Sequence, residues 1–272
     1  MLRKLLSVAL NPQRVLLAIW AKLGAGSFKL RLDYDVLPRP HYAYSVYYAA
    51  QLAERLGLKR ISVLEFGVAG GNGLIELERM AEEVEKVFDV KIEIYGFDTG
   101  LGLPPPQGYR DLPYIWREGF FEMDKDALLR RLSRAKVVFG DVKDTLVDFN
   151  EKYDPAPVGA ISFDLDYYSS TLDSMRIFDL PADKRLPRIY SYCDDVLSGE
   201  GGGILCDRVG QLAAIREYNE REQSKNFSPI HGFAQSRRVK ASWNEKMYVH
   251  HDFAHELYGN YVHSDEDRQL SL

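Results

Sequence analysis

The chain has 272 residues, 46% of them hydrophobic and 28% charged, enough to bury one substantial core in one or two domains. A formal charge of −5 gives no overall pull toward nucleic acid, and two cysteines supply neither a disulfide framework nor a metal-thiolate pattern. These features exclude a disulfide scaffold and a basic nucleic-acid binder, and they favour the reducing cytoplasm as the compartment.

The first 32 residues hold six cations (Arg3, Lys4, Arg14, Lys22, Lys29 and Arg31) and no acid, which leaves −11 for the remainder. In this arm LLSVAL (5–10) and VLLAIWA (15–21) resemble short signal-peptide cores, but polar or charged residues cut both off and no convincing cleavage site follows. No apolar run reaches the roughly 18 residues of a membrane span. The arm is therefore expected to form one or two helices that pack on the body or on a second subunit. A peripheral membrane contact through residues 1–32 is the alternative.

RPHYAYSVYYAAQLAERLGL (39–58) has helical spacing of its tyrosines and leucines and closes at Gly57. Residues 1–58 thus read as a basic arm with a leading helix, and 59–272 as the main domain. ISVLEFG (61–67) predicts a buried strand entering a turn. Asn72 is expected to cap the next helix, which carries Leu77, Met80, Ala81, Val84 and Phe88 on one stripe. KIEIYGFD (91–98) is a second strand. Residues 99–124, rich in Gly, Pro and aromatics, are too long for an ordinary connection and read as a lid. Helices at 125–134, 144–152, 170–179 and 209–223 alternate with strands at 136–141, 158–166 and 188–195, and a strand at 246–253 follows. This rhythm predicts a doubly wound, mostly parallel α/β sheet of Rossmann-like type, with ligands at the carboxyl ends of its strands.

Those ends are acidic: Glu65, Asp98, Asp141, Asp164 with Asp166, and Asp194 with Asp195. Any one of them is equally well read as a helix cap, but five strands ending this way predict a shared cleft. The first turn, EFGVAGGNG (65–73), places Gly67, Gly70, Gly71 and Gly73 where backbone can approach a ligand at a helix N-terminus. Its spacing departs from the dinucleotide fingerprint G-x-G-x-x-G. Asp98, ending the second strand, suits the vicinal diol of a ribose. Asp164, Asp194 and Asp195, a set with no cysteine or histidine among its members, form an oxygen-only site suited to magnesium, calcium or manganese.

EFGVAGG, YGFDTGLGLP (95–104), GDVKDTL (140–146), DLDYYSST (164–171) and CDDV (193–196) occur in that order, and together they resemble the macrocin O-methyltransferase family over roughly residues 60–220. The resemblance implies a class I fold binding S-adenosylmethionine through Glu65, Gly67, Gly70, Asp98, Thr99, Gly140 and Asp141. It also implies a Mg2+ or other divalent ion on Asp164, Asp194 and Asp195, with Asp166 as general base. The expected reaction is methylation of a hydroxyl on a sugar or other polyol, in a glycan or a small-molecule natural product. The lid departs from the family's aspartate-aromatic-glutamate-glycine run, reading Asp98-Thr99-Gly100-Leu101-Gly102, and no histidine lies between Asp98 and Asp141. Two other readings stay open: an oxidoreductase or hydroxylase on the same scaffold, and a non-catalytic relative that keeps the cofactor.

Overall fold

In the computed structural model, which describes residues 12–197 and 205–263, the strands that read as apolar runs lie at the centre of the sheet. Six of the seven residues of β1 (Arg60–Phe66) and all six of β4 (Val158–Phe163) are buried, as strands covered on both faces must be. Around them stand β2 (Lys91–Asp98), β3 (Lys136–Phe139), β5 (Arg185–Cys193), β6 (Lys225–Pro229) and β7 (Met247–Asp252), in the order β3-β2-β1-β4-β5-β7-β6. The first five are mutually parallel, while β7 runs antiparallel to both β5 and β6. The doubly wound, mostly parallel sheet expected from the sequence is therefore present. Its order reverses between β1 and β4, which opens a crevice at their carboxyl ends.

The two faces are sorted by the period of the strand. Ile61 and Val63 point toward α3 (Pro40–Arg55) and α4 (Asn72–Val84), packing with Val46, Ala50, Leu74 and Leu77. Leu64 and Phe66 point the other way, toward α7 (Phe149–Tyr153), α8 (Tyr168–Ser174) and α9 (Gly210–Arg221), packing with Phe149, Tyr168, Ala214 and Tyr218. The N-terminal α1 (Pro12–Leu23) and α2 (Phe28–Asp33) precede this body. Phe28 stacks on Tyr47 at 5.8 Å, and Asp35 accepts from Arg237 at 2.7 Å and from the Trp243 indole at 2.9 Å. The second half of the arm and the late tail are thus fastened together.

Several boundaries differ from the sequence reading. Gly71, in the left-handed region with φ +75°, is the N-cap of α4, and Asn72 is its first helical residue. The helix expected over 144–152 is divided into α6 (Val142–Thr145) and α7, and that expected over 170–179 begins at Tyr168 and ends in a 3-10 turn. α5 (Lys125–Arg131) stops three residues short of expectation, and a short α10 (Phe233–Ser236) follows what was read as the last helix. β6 was not expected at all. The LLSVAL segment and residues 198–204 lie outside the described residues, among which no helix is long and apolar enough to cross a membrane.

Candidate active site

The crevice between β1 and β4 opens into a cavity of about 450 Å3. Its wall contains Gly67, Asp98, Thr99, Gly140, Asp141, Asp164, Asp166, Asp194 and Asp195 from the expected set. Glu65 and Gly70 are not part of that wall. Gly70 is exposed on the turn, and Glu65 lies on the α3 face of β1, two residues beyond Val63.

Gly67 is where the two halves of the sheet meet most closely. It adopts φ +86°, and a Cβ there would stand 1.7 Å from the Asp164 carbonyl oxygen. Asp98 ties the turn after β1 to the lid: one carboxylate oxygen accepts from Val68 and Ala69 N–H, each at 2.9 Å, and the other accepts from Gly100 N–H at 2.6 Å. Ala69 itself holds a left-handed φ of 45°, a conformation tolerated where surrounding structure fixes it. Asp141 both caps α6, accepting from Lys143 N–H at 3.1 Å, and faces the cavity, so the capping and cleft readings of this acid are both realised.

Glu65 is 2% exposed; the Tyr42 hydroxyl donates to one of its oxygens at 2.7 Å, and the other has no partner among the described residues. Burial, followed by the nearby Asp164, outweighs that hydrogen bond and pushes its carboxyl up to about 8. The folded chain then keeps a proton on Glu65 between the ordinary carboxyl value of 4.5 and about 8, while the unfolded chain does not. Stability from this group is therefore complete below pH 4.5 and is lost as pH rises toward 8. Glu65→Gln removes this proton, so its stability relative to the parent chain should climb from pH 5 to 8 by an amount on the order of a few kcal/mol. Thermal unfolding of both proteins across that range checks it; a constant difference would show that Glu65 is ionised in the fold.

On the far side of the crevice, Asp164 follows β4, and Asp194 and Asp195 occupy the turn after β5. One carboxylate oxygen from each of these three residues lies within 4.8 Å of the others. Removal from water and repulsion from Asp195 and Asp194 push Asp164 up to about 8, and Asp195 is raised well above the usual range by burial and by Asp166. Asp166, at φ 60°, donates its N–H to Asp195 at 2.9 Å; burial and Asp164 push its carboxyl up to about 7. Asp194 differs. Burial opposes its ionisation, but the Tyr192 hydroxyl and Lys246 hold it below the usual carboxylate range.

Lys246 was not singled out from the sequence. Its ammonium donates to the Asp194 side chain at 3.0 Å and to the Asp194 carbonyl at 2.5 Å. Cys193 N–H donates to the Lys246 carbonyl at 2.9 Å, so the start of β7 is held in register with the end of β5. Because β7 is antiparallel, its beginning lies at the edge where the parallel strands end. The sequence signal available was a lysine directly before the strand MYVHHD.

The 99–124 segment contributes Leu103, Pro104, Trp116 and Phe121 to the cavity, with the two aromatic rings 5.7 Å apart. It is anchored by Asp111, which is buried and accepts from Gln107 N–H and from Ser169 N–H, both at 2.8 Å. Arg110 adds a stacking contact 3.8 Å from the Tyr168 ring centroid. His41 and His250 pack against aromatic rings. His41 packs 4.1 Å from the Tyr192 ring and is held down to about 3 by burial and then by Arg39, and His250 stacks on Phe178 at 3.9 Å. Asp207 is exposed and faces Arg216 at 3.8 Å, away from the acid cluster.

No family model and no curated protein matches the sequence. Among solved structures, the chain is similar to the O-methyltransferase NovP, with 18% identity over 67% of this chain and 72% of that one and a TM-score of 0.49. It is also similar to CalS11, a calicheamicin methyltransferase, with 14% identity over 88% and 92% of the two chains and a TM-score of 0.49. An O-methyltransferase from Bacillus cereus in complex with SAH aligns over 82% and 87% at 15% identity, with a TM-score of 0.38. At these values the likenesses carry no argument about activity, which rests on the cavity and its side chains.

Proposed function

We propose that the chain is an S-adenosylmethionine-dependent O-methyltransferase, assisted by a divalent cation such as Mg2+, acting on a hydroxyl of a sugar or related polyol. The observation that carries this reading is one cavity that joins the Gly67 turn and Asp98 to the three clustered carboxylates Asp164, Asp194 and Asp195. Gly67 lets the end of β1 lie against the Asp164 backbone and borders the cavity, and Asp98 has one acceptor site left for a ribose hydroxyl after its three backbone bonds. Thr99, Gly140 and Asp141 would line the nucleoside side of the same pocket. Glu65 would act from behind it, holding Tyr42 and the helix start at Gly73, where a Cβ would meet its carboxylate at 1.9 Å.

The acid trio offers only oxygen donors, and a hard divalent cation would offset the burial and mutual repulsion that raise Asp164 and Asp195. When bound, the two groups would supply an electrophilic methyl and a positive charge that lowers the acceptor hydroxyl's pKa. Asp166, which lines the cavity, would take the hydroxyl proton. Tyr192 and Lys246 hold one oxygen of Asp194, leaving the other to face a ligand. Trp116 and Phe121 set an apolar wall beside this polar cluster, as an acceptor with a polar edge and a hydrophobic face requires. The sugar acceptor rests further on the macrocin-type resemblance.

Calorimetry with S-adenosylmethionine, paired with Mn2+ binding followed by electron paramagnetic resonance, tests the reading. The parent chain should bind both. Asp195→Asn should weaken Mn2+ by about tenfold or more while leaving cofactor affinity within about threefold. Failure to bind the cofactor would overturn the assignment, and unchanged Mn2+ binding would remove the metal from it.

A further inference from the structure

α1 carries an apolar stripe that the body does not cover. Leu16, Ile19 and Leu23 are 66%, 50% and 73% exposed, and their spacing of three and four places them on one side of the helix. Trp20, at the edge of that stripe, turns inward: its indole donates to the Ala25 carbonyl at 2.7 Å, and its ring packs 5.4 Å from Tyr34. These two contacts fix the rotation of the helix, so the stripe is presented outward by the fold. The charge around it is of one sign. Residues 1–32 contain six cations and no acid, whereas the rest of the chain carries −11. Lys29 and Arg31 are engaged with Asp33 and Glu83, and the exposed Lys22 lies on α1 itself.

We infer that α1 docks in the plane of an anionic phospholipid surface, with Leu16, Ile19 and Leu23 among the acyl chains and Lys22 at the headgroups. A second copy of the chain fits less well. Three aliphatic side chains fall far short of the roughly 800 Å2 per partner that a stable dimer buries. A membrane imposes no such area threshold, and anionic lipid complements the arm while repelling the acidic body, which orients the protein arm-down. This inference does not depend on the cofactor reading.

The test is sedimentation of the full chain with large vesicles of phosphatidylcholine, with and without about 30% phosphatidylserine. The chain should pellet with the anionic vesicles, and raised salt should reduce the bound fraction. The combined L16E, I19E and L23E variant should bind about tenfold less or weaker, and K22E alone should bind measurably less. Both variants alter exposed side chains, so their melting temperatures should match the parent's. Absence of pelleting, equal pelleting by the triple variant, or no preference for anionic vesicles would overturn the inference. So would a dimer in light scattering that the triple variant converts to monomer without any vesicle binding.

Discussion

Replacing Gly67 by alanine should lower the melting temperature by roughly 10 °C and abolish cofactor binding. The new Cβ would stand 1.7 Å from the Asp164 carbonyl oxygen and 2.7 Å from its carbon, so one backbone would have to leave the other. Neither is free to do so: Gly67 N–H donates to Phe97 at 3.0 Å, and Asp164 N–H donates to Phe66 at 2.9 Å. The left-handed conformation adds about 1–2 kcal/mol, and the overpacking about 1–3 kcal/mol, to the cost. Gly70→Ala is the control, because a Cβ at Gly70 meets nothing within 4 Å. A Gly67→Ala protein melting within about 2 °C of the parent would show that the two strand ends separate easily.

Asp98→Ala should weaken S-adenosylmethionine by about tenfold or more while leaving the sheet folded. A ribose hydroxyl bond to the remaining site of this carboxylate is worth about 1.5 kcal/mol or more. The variant also releases Val68, Ala69 and Gly100 N–H, which Asp98 now holds at 2.9, 2.9 and 2.6 Å, so the turn and the lid would lose their common anchor. Asp98→Asn separates the two effects. Its single carbonyl oxygen can serve Val68 and Ala69 or Gly100, but its amide donors then oppose the remaining N–H groups. It should fall between the parent and the alanine variant in affinity. Calorimetry on all three proteins decides the matter, and an alanine variant within about threefold of the parent would sink the ribose contact.

The central sheet was legible because β1, β2 and β4 are mostly apolar and rich in β-branched and aromatic residues, with β1 and β4 buried along nearly their whole length. β6 was not. Its sequence KNFSP buries only Phe227 and ends in proline, so neither alternation nor a hydrophobic run announces it. The nine cavity-lining positions named from sequence share one physical property: each follows or ends a parallel strand. Lys246 does not, and only the antiparallel pairing with β5 brings it to that edge. Glu65 shows the opposite case. Period two already assigns it to the face of Ile61 and Val63, away from the ligand side, but a terminal acid beside a glycine turn overrode that reading. The 99–124 segment was legible as a lid by composition, yet its anchor Asp111 was not, because burial of one carboxylate under three hydrogen bonds has no linear signature.

The reversed direction of β7 also bears on how the protein is made. Synthesis proceeds from the N-terminus, so the glycine turn, Asp98 and all the clustered acids emerge before the lysine that holds Asp194. A chain still attached to the ribosome at residue 230 would have β5 as an unpaired sheet edge and Asp194 without its ammonium partner. The Lys246 contact to Asp194 is therefore made only once translation reaches the seventh strand, and a fragment released earlier would carry the clustered acids without it.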